Sequence, residues 1–231
     1  MAAHMQTAWM MALTVALYLI TRRIYLRWTH PLLNIVIWSS AALIAFLVAC
    51  DIPYRDYLPA RKIMTALLGP ATVGLAVPLY RYRKLLRSYG AAIIVSVAAG
   101  TLLSMIMAGM ICKYAGLPWE IVVSMTPKGA SIPFAVEISR VYDGIPSLSA
   151  AFVAATGTGM APIGVVLLNW MRVSDPVARG LALGTVAHAQ GVALSLMESP
   201  QQGAMSGLAM ILAGLFTAGL APPVFRLLQS V

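Results

Sequence analysis

The chain has 231 residues, 60 % of them hydrophobic and only 10 % charged, with mean hydropathy +0.84. A soluble domain is about 25 % charged, so this composition excludes one and describes an integral membrane protein. Lys and Arg number 16 against 7 Asp and Glu, a net +9. The arginines fall in short loops between apolar runs, where they orient a chain in a bilayer and meet headgroups rather than nucleic acid.

In chain order, Met1-Ala2-Ala3-His4-Met5 reads as a cloning remnant ahead of a start at Met5, so residues 1–4 carry no functional weight. No cleavable signal peptide follows; the first apolar run is read as retained. Eight apolar runs then cover residues 7–20, 31–50, 63–80, 89–112, 119–138, 145–171, 177–197 and 203–228. A spanning helix needs about 20 residues. The first run is short, and the third, fifth and seventh are interrupted, so eight runs need not be eight spans. None alternates with the period of a barrel strand. The expected fold is a single all-α polytopic transmembrane bundle over 1–231, with seven or eight segments and broken or re-entrant helices. Ser96, Gly100, Ser104 and Ala108 recur every fourth residue, a stripe suited to close helix contact in lipid. Cys50 and Cys112 read as small core residues, and no metal or cofactor is expected.

Arg81, Arg83, Lys84 and Arg87 form the densest basic loop, which the charge rule places in the cytoplasm, on the same side as Arg22, Arg23 and Arg27. The N-terminus then starts outside. A re-entrant fifth run puts Arg172 and Arg179 in the cytoplasm and Glu198 to Gln202 outside; a full crossing reverses both. Charge favours the re-entrant version. Residues 68–76 also rhyme with 183–193, each after an Ala-Arg (Ala60-Arg61, Ala178-Arg179) and before a Gly-Ala (Gly90-Ala91, Gly203-Ala204). Such a repeat gives halves of opposite topology when the fifth run is re-entrant, as in many secondary transporters.

Three interrupted segments hold the candidate chemistry. In the first, Gly69 and Pro70 break the helix and free Thr72 to satisfy backbone or contact a ligand. In the second, Thr126, Pro127, Lys128, Gly129, Ser131 and Pro133 stand together. A charge at mid-membrane costs roughly 2.5–3.5 kcal/mol on insertion scales, so Lys128 needs a reason to be there. One reason is to neutralise a substrate carboxylate, with Thr126, Ser131 and the half-helix starting near Ser131 donating hydrogen bonds. The other is a lysine that merely reaches water from a re-entrant tip. Glu137 pairs with Lys128 or, more locally, with Arg140. In the third segment, Gly184, Thr185, His188, Gln190 and Gly191 stand together. His188 binds substrate, carries a coupled proton, or bridges helices by hydrogen bonds. Gln190 is a neutral donor beside it, and Asn34 and Asn169 read as interhelical glue. There is no phosphate-binding Gly-x-x-x-x-Gly-Lys, no Gly-x-Ser-x-Gly, no His-Glu-x-x-His and no paired carboxylates inside a run, which argues against an enzyme.

These segments resemble the LrgB/CidB family of bacterial membrane proteins, over most of the chain from Pro31 onward. The likeness rests on Pro31-Leu32-Leu33-Asn34, then on Pro70, Val73, Leu75, Ala76, Pro78, Leu79 and Tyr80. It continues in Pro127, Lys128 and Pro133, and ends in Ala178 through Thr185 with His188 and Gly191. This chain departs from the family pattern at Gly129-Ala130-Ser131 and Gly191-Val192-Ala193, where relatives carry more hydroxyls. The resemblance implies one of two activities. One is carriage of small 2-hydroxy or 2-oxo monocarboxylates such as glycolate, glycerate, lactate and pyruvate, as in the plastidial glycolate/glycerate translocator. The other is holin/antiholin-like control of murein hydrolase export and autolysis. It also implies a bacterial plasma-membrane location, a small LrgA/CidA-type membrane partner and a homo-oligomer.

Overall fold

The computed structural model describes residues 2–27, 35–67, 70, 80 and 83–230, and all regular structure among them is helical. The motif at Pro31 to Asn34, and Gly69, Thr72 and the rest of 71–79, lie outside the described residues; Pro70 is described and exposed. The chain forms two compact units, Met1–Ala76 and Val77–Val231.

In the first unit α1 (Ala2–Arg27) packs against α2 (Ile35–Ala49) and α3 (Tyr54–Ala66). Met10, Leu47, Tyr57 and Ala60 form its core, and the Thr14 hydroxyl lies 3.0 Å from the Tyr57 hydroxyl. Among the described residues of this unit, only α1 is long and apolar enough to cross a bilayer. α3 carries Arg55, Asp56, Arg61 and Lys62, too polar and short for a span of about 20 residues. Cys50 is exposed rather than in the core; it stands in the turn just past the end of α2.

The second unit holds α4 (Arg83–Tyr114), α5 (Trp119–Met125), a 3₁₀ turn (Thr126–Gly129), α6 (Ile132–Val141), α7 (Pro146–Trp170), α8 (Pro176–Glu198) and α9 (Pro200–Ser230). Prolines open α7, α8 and α9, where a missing N–H costs nothing. Asp175 caps α8, its Oδ2 accepting from the Ala178 N–H at 2.8 Å. α4 and α9 run parallel. Near their starts Ile93 and Val97 pack with Ala204, Met205 and Ala209; near their ends Met105 and Cys112 pack with Val224, Phe225 and Leu228. The packed face of α4 is thus Ile93, Val97, Thr101, Met105, Ala108 and Cys112. Of the small-residue stripe read from the sequence, Ser96 and Gly100 are exposed.

Two segments double back. Trp119, at the start of α5, and Tyr142, just past α6, stack on the same Phe225, with ring centroids 6.1 and 4.7 Å away. A continuous helix over that stretch would hold them roughly 34 Å apart. The fifth run is therefore re-entrant and is here named hairpin 1. The seventh run is re-entrant too. Arg179 and Glu198 form an ion pair at 3.0 Å, although a straight helix would separate them by roughly 28 Å. α8 folds at His188, whose φ of 48° and ψ of −130° leave the helical region. A Cβ on Gly191 would strike the Leu183 carbonyl, as two antiparallel arms require. By length and composition α8 qualifies as a span, but its closed mouth makes it hairpin 2.

The hairpins enter from opposite sides. Hairpin 1 opens beside the end of α9 at Phe225, and hairpin 2 beside its start, where Gly180 packs on Gln202 and Ser206. α7 connects the two mouths. Its Ile145 N–H donates to Ser124 Oγ of hairpin 1 at 2.7 Å, and its Asn169 Oδ1 accepts from Arg179 of hairpin 2 at 2.8 Å. Glu198 to Gln202 therefore share a side with Arg172 and Arg179. The expected separation of these groups fails because the seventh run does not cross. Opposite topology exists inside the second unit, between α4 with hairpin 1 and α7 with hairpin 2. The pairing of residues 68–76 with 183–193 falls largely on residues not described.

Candidate functional site at the meeting of two hairpin tips

The tips meet at one hydrogen bond, His188 Nε2 to the Lys128 carbonyl oxygen at 2.9 Å. The carbonyl only accepts, so Nε2 carries the proton and Nδ1 is bare. The arms of hairpin 2, residues 176–187 and 189–198, are roughly 18 and 15 Å long. Its tip is thus about half-way across a hydrocarbon core of roughly 30 Å. The Gly157 midpoint of α7, the Ser104 region of α4 and the Gly214 midpoint of α9 all touch the tips. A Cβ at Gly157 would lie 3.2 Å from His188 Nδ1, one at Gly129 would lie 3.2 Å from Ser104 Oγ, and one at Gly214 would strike the Phe134 ring.

Each break has a local cause. α5 ends because Pro127 leaves the helical region (φ −82°, ψ 17°), and Ala130 and Ser131 are extended. Ser131 is the N-cap of α6 and Pro133 lies in its first turn. The hydroxyl of Ser131 makes no capping bond and the residue is half-buried. Hairpin 2 breaks on His188 itself, a positive φ that costs a non-glycine residue on the order of 1–3 kcal/mol. Gly184 and Gly191 are not the break. They let backbone pass close by: Gly184 against the Ser206 backbone of α9, Gly191 against the opposite arm.

The sequence candidates divide accordingly. Lys128, Gly129, Ser131, His188 and Gln190 are brought to the tips. Lys128 is half-buried, and among the described residues its ammonium makes no ion pair or hydrogen bond; Glu137 pairs instead with Arg140 at 2.7 Å. Thr126 is fully buried and donates to the Val122 carbonyl at 2.7 Å, beneath Gly109 of α4. Thr185 donates to the Leu181 carbonyl at 2.7 Å and faces Gly100. Gln190 donates from Nε2 to Thr158 Oγ1 at 2.8 Å. Thr72 and Gly69 lie outside the described residues. Two half-helices begin at the tips, α6 and the second arm of hairpin 2, so two positive dipole ends converge beside Lys128. The two half-helices that end there partly offset them.

Sequence reading missed Arg179. It is buried, its guanidinium donating to both Glu198 oxygens at 3.1 and 3.2 Å, to Asn169 Oδ1 at 2.8 Å and to the Val173 carbonyl at 3.0 Å. Gln202 Nε2 adds a bond to Glu198 at 2.8 Å. This network closes the mouth of hairpin 2. The signal was an Arg near the start and a Glu at the end of one apolar run, which only a reversal brings together. Asn169 does serve as interhelical glue, within this network.

No solved structure matches the chain. The protein YwbG of Bacillus subtilis is 32 % identical over 210 residues, covering 91 % of this chain and 93 % of that protein. The holin-like protein CidB of Staphylococcus epidermidis is 29 % identical over 227 residues, 98 % of this chain and 99 % of that one. CidB of Staphylococcus aureus is 28 % identical over 224 residues, 97 % and 98 % of the two chains. The family model of the LrgB-like family matches residues 14–227, and with most of its length inside that match this membrane protein belongs to the LrgB-like family.

Proposed function

We propose that this protein is a carrier of small 2-hydroxy or 2-oxo monocarboxylates, of the size of glycolate, glycerate, lactate or pyruvate, working by alternating access in the bacterial plasma membrane. The observation that carries the reading is the pair of re-entrant hairpins. They enter from opposite sides and meet at Lys128 and His188, with an unpaired ammonium and two half-helix N-termini at the junction. Broken helices at the bilayer midplane are how secondary carriers hold small anions. Lys128 neutralises the carboxylate; Ser131, Gln190 and free N–H groups of α6 hold the remaining oxygens. Thr126 and Thr185 shape the walls from behind.

Charge gives the orientation. Among the described residues of the second unit, the hairpin 2 side holds Arg83, Lys84, Arg87, Arg172 and Arg179; the hairpin 1 side holds Lys113, Arg140 and Arg226. The positive-inside rule puts hairpin 2 on the cytoplasmic side. The test is uptake of labelled glycolate, lactate and pyruvate into proteoliposomes. Lys128→Ala should abolish it while the protein stays monodisperse, and normal uptake would overturn the reading.

The holin-like name of the CidB relatives favours a second reading, a membrane regulator of autolysis acting with a small LrgA/CidA-type partner and as a homo-oligomer. Such a regulator has no use for an anion site. A thermal-shift panel of small acids separates the two: stabilisation by glycolate that is lost in Lys128→Ala belongs to a carrier.

A further inference from the structure

We propose that Ser104 of α4 binds the substrate at its oxygen on C2, and that this contact selects 2-hydroxy and 2-oxo acids over acids that lack the oxygen. The inference rests on the carrier reading and adds a specificity-determining residue on a second wall of the same site.

In an apolar helix a serine or threonine hydroxyl ordinarily donates to a carbonyl three or four residues back, because lipid offers it nothing. Ser96 of the same helix does so, on the Ile93 carbonyl at 3.1 Å, and Thr126, Thr185 and Thr217 each use the carbonyl four residues back. Ser104 does not. It is half-buried, and among the described residues its hydroxyl has no hydrogen-bond partner. Its place in the fold is special. Gly129 of hairpin 1 comes so close that a Cβ there would lie 3.2 Å from Ser104 Oγ. One turn earlier on α4, a Cβ at Gly100 would meet Thr185 of hairpin 2 at 3.6 Å. Gly100 and Ser104 are roughly 6 Å apart along the axis, so this single turn of α4 spans the level at which the two tips meet.

Two groups on hairpin 1 share the condition of Ser104. The Lys128 ammonium and the Ser131 hydroxyl are half-buried and have no partner among the described residues. Lys128 directly precedes Gly129, and Ser131 follows it by two residues, at most about 7 Å along the chain. The ammonium acts electrostatically on Cys112 of α4 and on the His188 ring, so it lies within reach of both α4 and the tip of hairpin 2. Three polar groups with unused hydrogen-bonding capacity, from two elements, thus gather around one glycine.

A 2-hydroxy or 2-oxo acid brings a carboxylate and one more oxygen to this spot. Lys128 and the N-terminus of α6 both belong to hairpin 1 and both attract negative charge, so they take the carboxylate. Ser104 is neutral and stands on the neighbouring helix, which leaves it the oxygen on C2. A serine hydroxyl rotates: it donates to a 2-oxo group and accepts from a 2-hydroxyl, so it serves both kinds of acid. Acetate and propionate offer nothing there and leave the Ser104 hydroxyl unpaired. A site built to bond a substrate oxygen discriminates against the analogue that lacks it. The competing explanation is size alone, a small residue that lets Gly129 approach. Alanine is at least as small, so removing the hydroxyl separates the two.

The measurement is the affinity of the purified full chain for lactate, pyruvate and propionate by titration calorimetry. Lactate and pyruvate should bind about tenfold more tightly than propionate. Ser104→Ala should weaken both by about tenfold and change propionate by less than about twofold. Ser96→Ala removes a self-satisfied hydroxyl from the same helix and should leave all three acids within about twofold. A lactate-to-propionate ratio that survives Ser104→Ala overturns the assignment and leaves serine there for its size. Should Ser104→Ala not fold, Ser104→Cys in a Cys50→Ser, Cys112→Ala background gives a second readout. Saturating lactate should then slow alkylation at position 104 several-fold, and alkylation at an unchanged rate overturns the assignment equally. Lactate and propionate bound alike by the unaltered protein sink the role of Ser104 alone. No binding of any of the three acids sinks the carrier reading, and the role of Ser104 with it.

Discussion

The two hairpins have the same outline and opposite closures. Hairpin 1 is shut at its mouth by aromatic rings, Trp119 and Tyr142 on Phe225, with one bond from the Ile145 N–H, just before α7, to the Ser124 hydroxyl oxygen. Hairpin 2 is shut by charge, with Arg179 on Glu198, Asn169 and the Val173 carbonyl, and Gln202 behind. Ring contacts tolerate sliding. Charge-assisted bonds are directional and hold one geometry. Their tips differ in the same sense. Hairpin 1 breaks on prolines that cannot continue a helix, whereas hairpin 2 breaks on a histidine forced to positive φ. Hairpin 2 is therefore held in its fold by its surroundings, and hairpin 1 by its own sequence.

That contrast can be broken most severely at the glycines. A methyl on Gly184 would run into the Ser206 backbone, which cannot rotate away, whereas at Gly129 it would meet only the Ser104 hydroxyl at 3.2 Å. Gly184→Ala should cost about 3 kcal/mol and lower the thermal transition markedly. Gly129→Ala should cost less than about 1 kcal/mol. Equal losses in a melting experiment would show that both hairpins pack alike.

The mouth comes next. Arg179→Met keeps the alkyl volume and removes the guanidinium, leaving Glu198 with a single bond from Gln202. Breaking a buried pair costs about 3–5 kcal/mol; with the Glu198 side chain 33 % exposed, about 2–3 kcal/mol is expected. Arg179→Met with Glu198→Gln should recover part of it, because the stranded carboxylate goes. No recovery would mean that Arg179 acts mainly through Asn169 and the Val173 carbonyl.

The sequence was a better guide to one hairpin than to the other, for the same physical reason. Pro127, Gly129 and Pro133 are local instructions, and they place the break and the start of α6 correctly. Between Pro176 and Glu198 there is no second proline and no Asp, Glu, Lys or Arg after Arg179 until the end, so the stretch reads as one span. Its reversal rests on long-range contacts: Gly180 and Gly184 against α9, Gly157 against the His188 ring, and the Arg179 network. Arg179 read as an orienting charge because its partner is 19 residues away. The involvement of Lys128 and His188 was legible from the cost of polar groups at that depth. Their direct bond was not, since it runs through a backbone carbonyl that no side-chain pattern encodes.

The smallest effect is expected at the other Arg–Glu pair. Arg140 and Glu137 lie on α6, the return arm of hairpin 1, at 2.7 Å, closer than the ion pair of hairpin 2. By distance alone Arg140 should matter more. Its side chain and that of Glu137 are 64 % and 60 % exposed, however, so where water reaches them their attraction is screened and neither is left stranded when the other goes. Arg140→Ala should therefore shift stability by less than about 0.5 kcal/mol. A loss as large as that of Arg179→Met would mean that α6 is covered in the membrane by lipid or by another chain, and that hairpin 1 also depends on a charge for its closure.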